Sequence, residues 1–291
     1  IFFIFATNFK EKIDAAILRS GRIDQHIEIG NLDKEARAYF IDKIETNSNI
    51  KLINKDKLIT YTAGMSGADL EKVNRESSLY KIKHNLKEIT ESILLEQINI
   101  IKYGERLKGQ SLDLLTSSTA YHEAGHAVLS YILLPDTKIE QITVVPRNNA
   151  LGFVSYDNED NISNLTKIKI ENKICVLLAG RIAQMKKYAE EGFDSGASSD
   201  LSHATHLANM AISKLGMGTS IGYVSLDKLK EYEASTFREE INKEVKNWLK
   251  TAEERTKNLV DELWDKIDNV AQSLIENETI EAKELNKIMT K

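Results

Sequence analysis

Two histidines, His122 and His126, constrain this chain most, because they lie four residues apart with Glu123 between them. On an α-helix, four residues is slightly more than one turn, so both imidazoles leave the same face. Ring nitrogens placed in this way can hold one Zn²⁺, and Glu123 can reach a metal-bound water as a general base. The spacing therefore predicts a zinc site on a helix.

The segment around the histidines has the pattern of a helix. Its apolar residues recur at helical spacing at Tyr121, Ala124, Val128 and Ile132. Pro135 closes the segment. Gly125 lowers the helix propensity slightly, which is tolerable if the helix packs closely against a neighbour there. The alternative is an ordinary amphipathic helix that carries two incidental histidines.

A hydrolytic zinc site needs a third protein ligand and an open position for water. The extended pattern HExxHxxGxxH does not occur, because Leu129 and Ile132 occupy the positions that it requires. Asp200, within GASSDLSHAT, is the better candidate, since the dipole of the helix expected to start there favours a carboxylate in its first turn. Spacing alone leaves three alternatives open: His203, His206 and Asp194.

Five segments resemble, in order, the peptidase domain of the FtsH-type AAA zinc proteases: STAYHEAGHAV, ITVVPR, ALGFVSY, LLAGRIA and GASSDLSHAT. The resemblance implies that His122, His126 and Asp200 bind zinc and that Glu123 is the catalytic base. The family commonly has a Gly-Arg-x-Ala-Glu segment, and Gln184 stands here in place of its Glu. Because glutamine has no carboxylate, we expect no ligand at this position and no carboxylate support for the ligands from it.

The beginning of the chain carries a second resemblance. Residues 1–6 are an apolar run that predicts a buried strand of a parallel sheet. The segments FATN and IDAAILRSGRID resemble the late part of an AAA+ ATPase module. This implies that Asn8 contacts nucleotide-bound water, and that Arg19 and Arg22 are arginine fingers for the γ-phosphate on a neighbouring subunit. The alternatives are that Asn8 is a turn residue and that the two arginines form surface salt bridges.

Residues 33–103 have helical patterning and resemble the helical lid of the same ATPase module. Ser66 is expected to cap a helix there. By the resemblance, Gly67 and Ala68 lie beside the nucleotide. The sequence thus predicts three parts: the C-terminal part of an AAA+ module with its lid, 1–104, a linker, 105–116, and a zinc metallopeptidase domain, 117–291.

Two short strands, 139–145 and 151–156, are predicted after the zinc helix, and a helix over 168–187 is expected to pack behind the site. An exposed strand beside the site would hold an extended peptide by backbone pairing, and a structural hairpin is the alternative. The predicted fold class is mainly α with minor β: an incomplete AAA+ segment (the last core strand and the lid) before a mostly helical peptidase domain.

The amino-acid composition excludes several classes of function. The net charge of −5 and the lack of a basic cluster argue against nucleic acid. Cys175 is the single cysteine, so there is no disulfide framework. No apolar run reaches the roughly 20 residues of a membrane-spanning helix. The phosphate-binding pattern GxxxxGK[ST] does not occur, so we expect a C-terminal part of a longer protein, with ATP and Mg²⁺ bound by the complete protein or a neighbouring subunit.

The resemblance implies an ATP-dependent zinc metalloendopeptidase that degrades unfolded or membrane-extracted proteins. It also implies a homo- or hetero-hexamer, attached to a bacterial or organelle inner membrane through a segment outside this chain. The alternative is a non-proteolytic ring subunit or remodelling factor of an AAA protease assembly.

Overall fold

The computed structural model describes most of the chain, namely residues 4–9, 12–14, 16–19, 21–23, 25–27, 29–48, 50, 54–107, 113–148, 150–156, 165–192, 195–220, 222 and 236–290. The chain divides into two compact units, Ile1–Asn31 and Leu32–Lys291. Within the described ranges, no helix combines the length and the apolar character that crossing a membrane requires.

The described residues of the first unit form turns and irregular backbone. Residues 4–6 form no strand, and Ile4 and Phe5 are 95% and 66% exposed. The prediction of a buried strand is therefore wrong for these residues, while residues 1–3 lie outside the described ranges. The physical reason is that a strand needs a neighbour for its backbone hydrogen bonds, and the strands of the described residues all pair with one another between 139 and 281.

The second unit begins with four helices, which we call the four-helix segment: α1 (Lys34–Ser48), α2 (Lys55–Tyr61), α3 (Gly67–Lys83) and α4 (Glu91–Tyr103). Ser66 caps α3 as predicted, and it exchanges hydrogen bonds with Asp69 in a capping box. Apolar side chains from all four helices form one core, which includes Ile41, Leu58, Leu70 and Leu94. The helical pattern of residues 33–103 is thus confirmed.

The remaining elements surround a second core. They are α5 (Asp113–Leu133), β1 (Ile139–Thr143), β2 (Phe153–Tyr156), α6 (Lys167–Tyr188), α7 (Ser198–Ser213), α8 (Arg238–Glu262), α9 (Trp264–Asn277), β3 (Thr279–Glu281) and α10 (Ala282–Thr290). Helix α5 is central, because it packs on α6, α9 and β1. The mainly α class with minor β structure is confirmed, as is the helix behind the site.

The strands form one small antiparallel sheet in the order β2-β1-β3. Ile142 in the centre of β1 lies opposite Val154 of β2 and Ile280 of β3. The sequence predicts β1 and β2 but not β3, which is only three residues long. Strand β2 therefore lies at one edge of the sheet and begins directly after Gly152.

A buried carboxylate anchors the turn that follows α7. Glu244 of α8 is 6% exposed and accepts hydrogen bonds from the backbone N–H and the hydroxyl of both Thr219 and Ser220. The N···O distances are 2.5 Å from Thr219 and 3.1 Å from Ser220. These bonds attach the turn after α7 to α8.

Replacing Glu244 by glutamine is expected to lower the free energy of unfolding by about 1–3 kcal/mol at neutral pH, because an amide accepts fewer of these hydrogen bonds. Burial alone would raise the pKa of Glu244, but the bonds from Ser220 and Thr219 lower it. The stabilisation is therefore present above the pKa of an unfolded-chain glutamate and is lost as pH falls through the lower folded-state pKa. Urea unfolding at pH 7 and in acid measures the free energy of unfolding of the parent chain and of Glu244→Gln. If the difference between them did not shrink in acid, the prediction would be wrong.

Candidate metal centre

The site is built where α5 crosses α6 without intervening side chains. A Cβ atom on Gly125 would lie 2.6 Å from the carbonyl oxygen of Ala179, and one on Gly180 would lie 2.5 Å from Nε2 of His126. Only glycine fits at either position, because such separations are far below van der Waals contact. The close packing expected at Gly125 is confirmed, and Gly180 makes room for the imidazoles.

Three predicted ligand atoms converge beside this crossing. Nε2 of His122 lies 3.0 Å from Nε2 of His126 and 3.1 Å from Oδ2 of Asp200. The third side of the triangle, from His126 to Asp200, is 3.4 Å. Ligands at Zn–N and Zn–O lengths in a tetrahedron are separated by about 3.3 Å, so the triangle has the size that Zn²⁺ requires. Among the described residues this is the only group of at least three such side chains that could hold a metal.

The proton positions of both imidazoles follow from their other contacts. Nδ1 of His126 lies 2.7 Å from the carbonyl oxygen of Val176, and Nδ1 of His122 lies 2.8 Å from Oε1 of Gln184. Both oxygens only accept hydrogen bonds, so each Nδ1 carries the proton and donates it. Each Nε2 is then left with its lone pair directed at the centre of the triangle.

The centre of the triangle is therefore surrounded by negative charge density. Two nitrogen lone pairs and a carboxylate oxygen face one another, and only a cation or an additional proton between them relieves their repulsion. Burial alone would raise the pKa of Asp200. With a proton in that position, the hydrogen bonds that His122 and His126 donate lower this pKa, so the carboxylate is ionised. The donor set, two imidazoles and a carboxylate, is one that Zn²⁺ accepts.

Glu123 lies next to the triangle and is 6% exposed. Its burial raises the pKa to about 7, and the negative charge of Asp200 contributes to the increase. A Cβ on Gly152, the residue before β2, would lie 3.0 Å from Cγ of Glu123 and 2.9 Å from the carbonyl oxygen of Thr143. The backbone at the start of β2 is thus in close contact with the predicted base.

Gln184 has a contact that the sequence prediction did not anticipate. Its oxygen accepts the His122 proton, and its Nε2 donates to Oγ of Ser118 at 2.9 Å. The residue is 2% exposed. A carboxylate is therefore not needed to orient His122, because the carboxamide oxygen accepts the same hydrogen bond. The available signal was the spacing of Val176, Gly180 and Gln184, which puts all three on one face of α6.

The two histidine alternatives do not join the triangle. His203 and His206 of α7 are exposed, while Asp194 lies outside the described residues. In the first unit, Asn8, Arg19 and Arg22 are exposed, and Nη1 of Arg22 donates to the carbonyl of Ala16. In the second unit, Gly67 and Ala68 are the first two residues of α3. Gly67 is half-buried and Ala68 is exposed.

Three convergent donors with a buried carboxylic acid beside them are the arrangement of a metal-dependent hydrolase in which a base activates water. A family model described as peptidase family M41 matches residues 115–288, more than half of the chain. The chain belongs to this family. It is a family of zinc metalloproteases, which implies a hydrolase that uses Zn²⁺.

Similar proteins support this assignment. The ATP-dependent zinc metalloprotease FtsH of Mycoplasmopsis pulmonis is 31% identical over 97% of this chain and 41% of its own length. The FtsH of a Synechococcus strain is 29% identical over 99% of this chain and 48% of its own length. The mitochondrial inner membrane i-AAA protease supercomplex subunit YME1 of Saccharomyces cerevisiae is 30% identical over 99% of this chain and 39% of its own length. The chain thus spans less than half the length of these relatives.

Proposed function

We propose that this chain cleaves peptide bonds at the His122–His126–Asp200 triangle, with Glu123 as catalytic base. The observation that supports this most directly is the position of the ring nitrogens: each Nδ1 faces an oxygen atom, and the two Nε2 atoms lie 3.0 Å apart beside the Asp200 carboxylate. When bound there, Zn²⁺ supplies a Lewis acid that polarises the scissile carbonyl and lowers the pKa of water.

The residues of the chain account for the proton transfers. Glu123 accepts a proton from the attacking water and delivers it to the nitrogen of the leaving amine, and burial, which raises its pKa, makes it a stronger base. Gln184 and the Val176 carbonyl keep the two imidazoles in the tautomer that leaves Nε2 free. The edge strand β2 is placed to receive an extended peptide by backbone pairing, which tolerates many side chains.

For the complete protein we propose an ATP-dependent protease that acts on unfolded or membrane-extracted proteins. The names of the relatives support ATP dependence, and the name of the yeast relative supports assembly at an inner membrane. The same proposal includes a hexamer and the three-part division at 104 and 116. It also includes a nucleotide site that involves Asn8, Arg19, Arg22, Gly67 and Ala68. The second candidate, a non-proteolytic ring subunit, has no observation in its favour that equals the intact triangle.

The experiment that tests the proposal combines metal analysis with digestion of an unstructured protein. The purified chain should hold one Zn²⁺ per molecule and should digest casein, and a chelator should stop the digestion until zinc is added back. A chain that is folded and loaded with zinc but leaves casein intact would instead favour the non-proteolytic ring subunit.

Gln184→Ala is expected to retain zinc at saturating metal but to bind it about 10- to 100-fold more weakly, because His122 loses the acceptor that fixes its tautomer. Competition with a chromogenic chelator measures the affinity. Gln184→Glu is the matched control, since it restores an acceptor oxygen at the same position. An affinity of Gln184→Ala equal to that of the parent chain would exclude this role for Gln184.

A further inference from the structure

One face of α4 lies on the sheet beside the site. Glu96, Asn99 and Tyr103 are spaced three and four residues apart, so they point to the same side of the helix. Asn99 accepts a hydrogen bond from Gln141 of β1 at 3.2 Å. The Tyr103 ring stacks on Phe153, the first residue of β2, with ring centroids 3.7 Å apart. Helix α4 therefore contacts the edge strand directly.

Arg147, in the segment between β1 and β2, provides a second connection. Its side chain is almost fully buried, at 3% exposed. Nη1 donates to the carbonyl of Gly104 at 3.0 Å, and Nη2 donates to the carboxylate of Glu96 at 2.9 Å. Because the guanidinium is buried, removing the charge of Glu96 would leave it without its counter-ion.

Glu96 serves two guanidinium groups. Arg106, which is mostly exposed, donates to it from Nε and Nη2, both at 3.0 Å. Burial alone would raise the pKa of Glu96, but Arg106 and Arg147 lower it, so the carboxylate is charged. The backbone reinforces the contact, because the Leu107 N–H donates to Pro146 and the Asn148 N–H donates to Glu105.

This contact reaches the predicted base through few residues. The Arg147 backbone N–H donates to the Ala150 carbonyl at 2.7 Å and closes a tight turn. Two residues later, Gly152 lies against Cγ of Glu123 at a separation that admits no side chain. A displacement of Arg147 would therefore act on Ala150 directly and, two residues further on, on Gly152 and the start of β2.

We propose that Arg147 is a positioning residue, which Glu96 and Gly104 hold so that α4 sets the place of Gly152 and β2 relative to Glu123. The inference rests on the proposed function, and it adds a means by which the four-helix segment controls that same site. When α4 holds Arg147, the edge strand is ordered to receive an extended peptide. When α4 moves away, the strand loosens and peptide binding weakens while the metal triangle on α5 and α7 stays intact.

Glu96→Gln in the full chain tests the proposal, because it keeps the shape of the side chain and removes the charge. Amide hydrogen exchange at 150–156 should become about tenfold faster, and KM for an unstructured peptide should rise about tenfold, with kcat changed less and zinc content unchanged. The matched control is Glu281→Gln, which removes the 2.5 Å ion pair of Lys57 in α2 with β3, at the opposite edge of the sheet.

Two further variants separate the contributions. Arg106→Gln removes the exposed guanidinium alone and should leave the exchange near that of the parent chain. Arg147→Lys keeps the buried charge without the two-pronged contact, and it should reproduce the effect of Glu96→Gln if that variant does not fold. Equal exchange at 150–156 in Glu96→Gln, Glu281→Gln and the parent chain would overturn the proposal. Because the exchange measurement needs no proteolysis, a parent chain that fails to cut peptides counts against the proposed function and not against this one.

Discussion

Glu123→Gln is expected to reduce peptide cleavage at least about 100-fold while zinc stays bound. Glutamine has nearly the shape of glutamate but no basicity, so it cannot take the proton of the attacking water. The three atoms of the metal triangle belong to other residues, and the contact of Gly152 with Cγ at position 123 involves an atom that both side chains possess. The variant is therefore expected to bind zinc and the peptide but not to transfer the proton.

Cleavage of an unstructured peptide and the zinc content are measured on the same sample. Glu244→Gln is the control, because it makes the same substitution at another buried glutamate whose contacts lie on α8 and the turn after α7. Assayed where both variants are folded, it should cut peptide at nearly the rate of the parent chain. If Glu123→Gln kept substantial turnover, another group would have to be the base.

The helix of the site could be predicted because its pattern is local. The spacing of His122 and His126, and the apolar positions around them, are encoded within about four turns of α5. The same holds for the place of Asp200 in the first turn of α7, where the structure finds it. That Asp200 meets the histidines depends on the packing of α7 against α6, which residue spacing alone did not determine.

Other features of the fold and of the site could not be predicted, because they depend on contacts between distant segments. Glu96 of α4 binds the buried Arg147, which is 51 residues away in sequence, so no local pattern indicates this ion pair. Strand β3 is too short for a periodic signal, and its partner is β1. The strand predicted at the start of the chain is wrong for residues 4–6, because an apolar run indicates a strand but a strand also needs a neighbour to pair with.

Asp200→Ala is expected to abolish stable zinc binding and, with it, peptide cleavage. The variant leaves two imidazole ligands, whereas a zinc site of this class needs three protein ligands. It also removes the carboxylate charge at 3.1 Å and 3.4 Å from the two nitrogens, so the attraction for a cation falls. The helix itself should persist, because Asp200 makes no capping hydrogen bond there and α7 is held by buried alanines, among them Ala204 and Ala208.

Elemental analysis after dialysis against metal-free buffer measures the result, and circular dichroism checks that the helices remain. His203→Ala and His206→Ala are matched controls on the same helix, and they test the two histidine alternatives that spacing left open. Both side chains are exposed, so both variants should keep full zinc occupancy. Full occupancy in Asp200→Ala, or loss of zinc in either histidine variant, would show that the third ligand is a different residue and that the triangle is wrongly assigned.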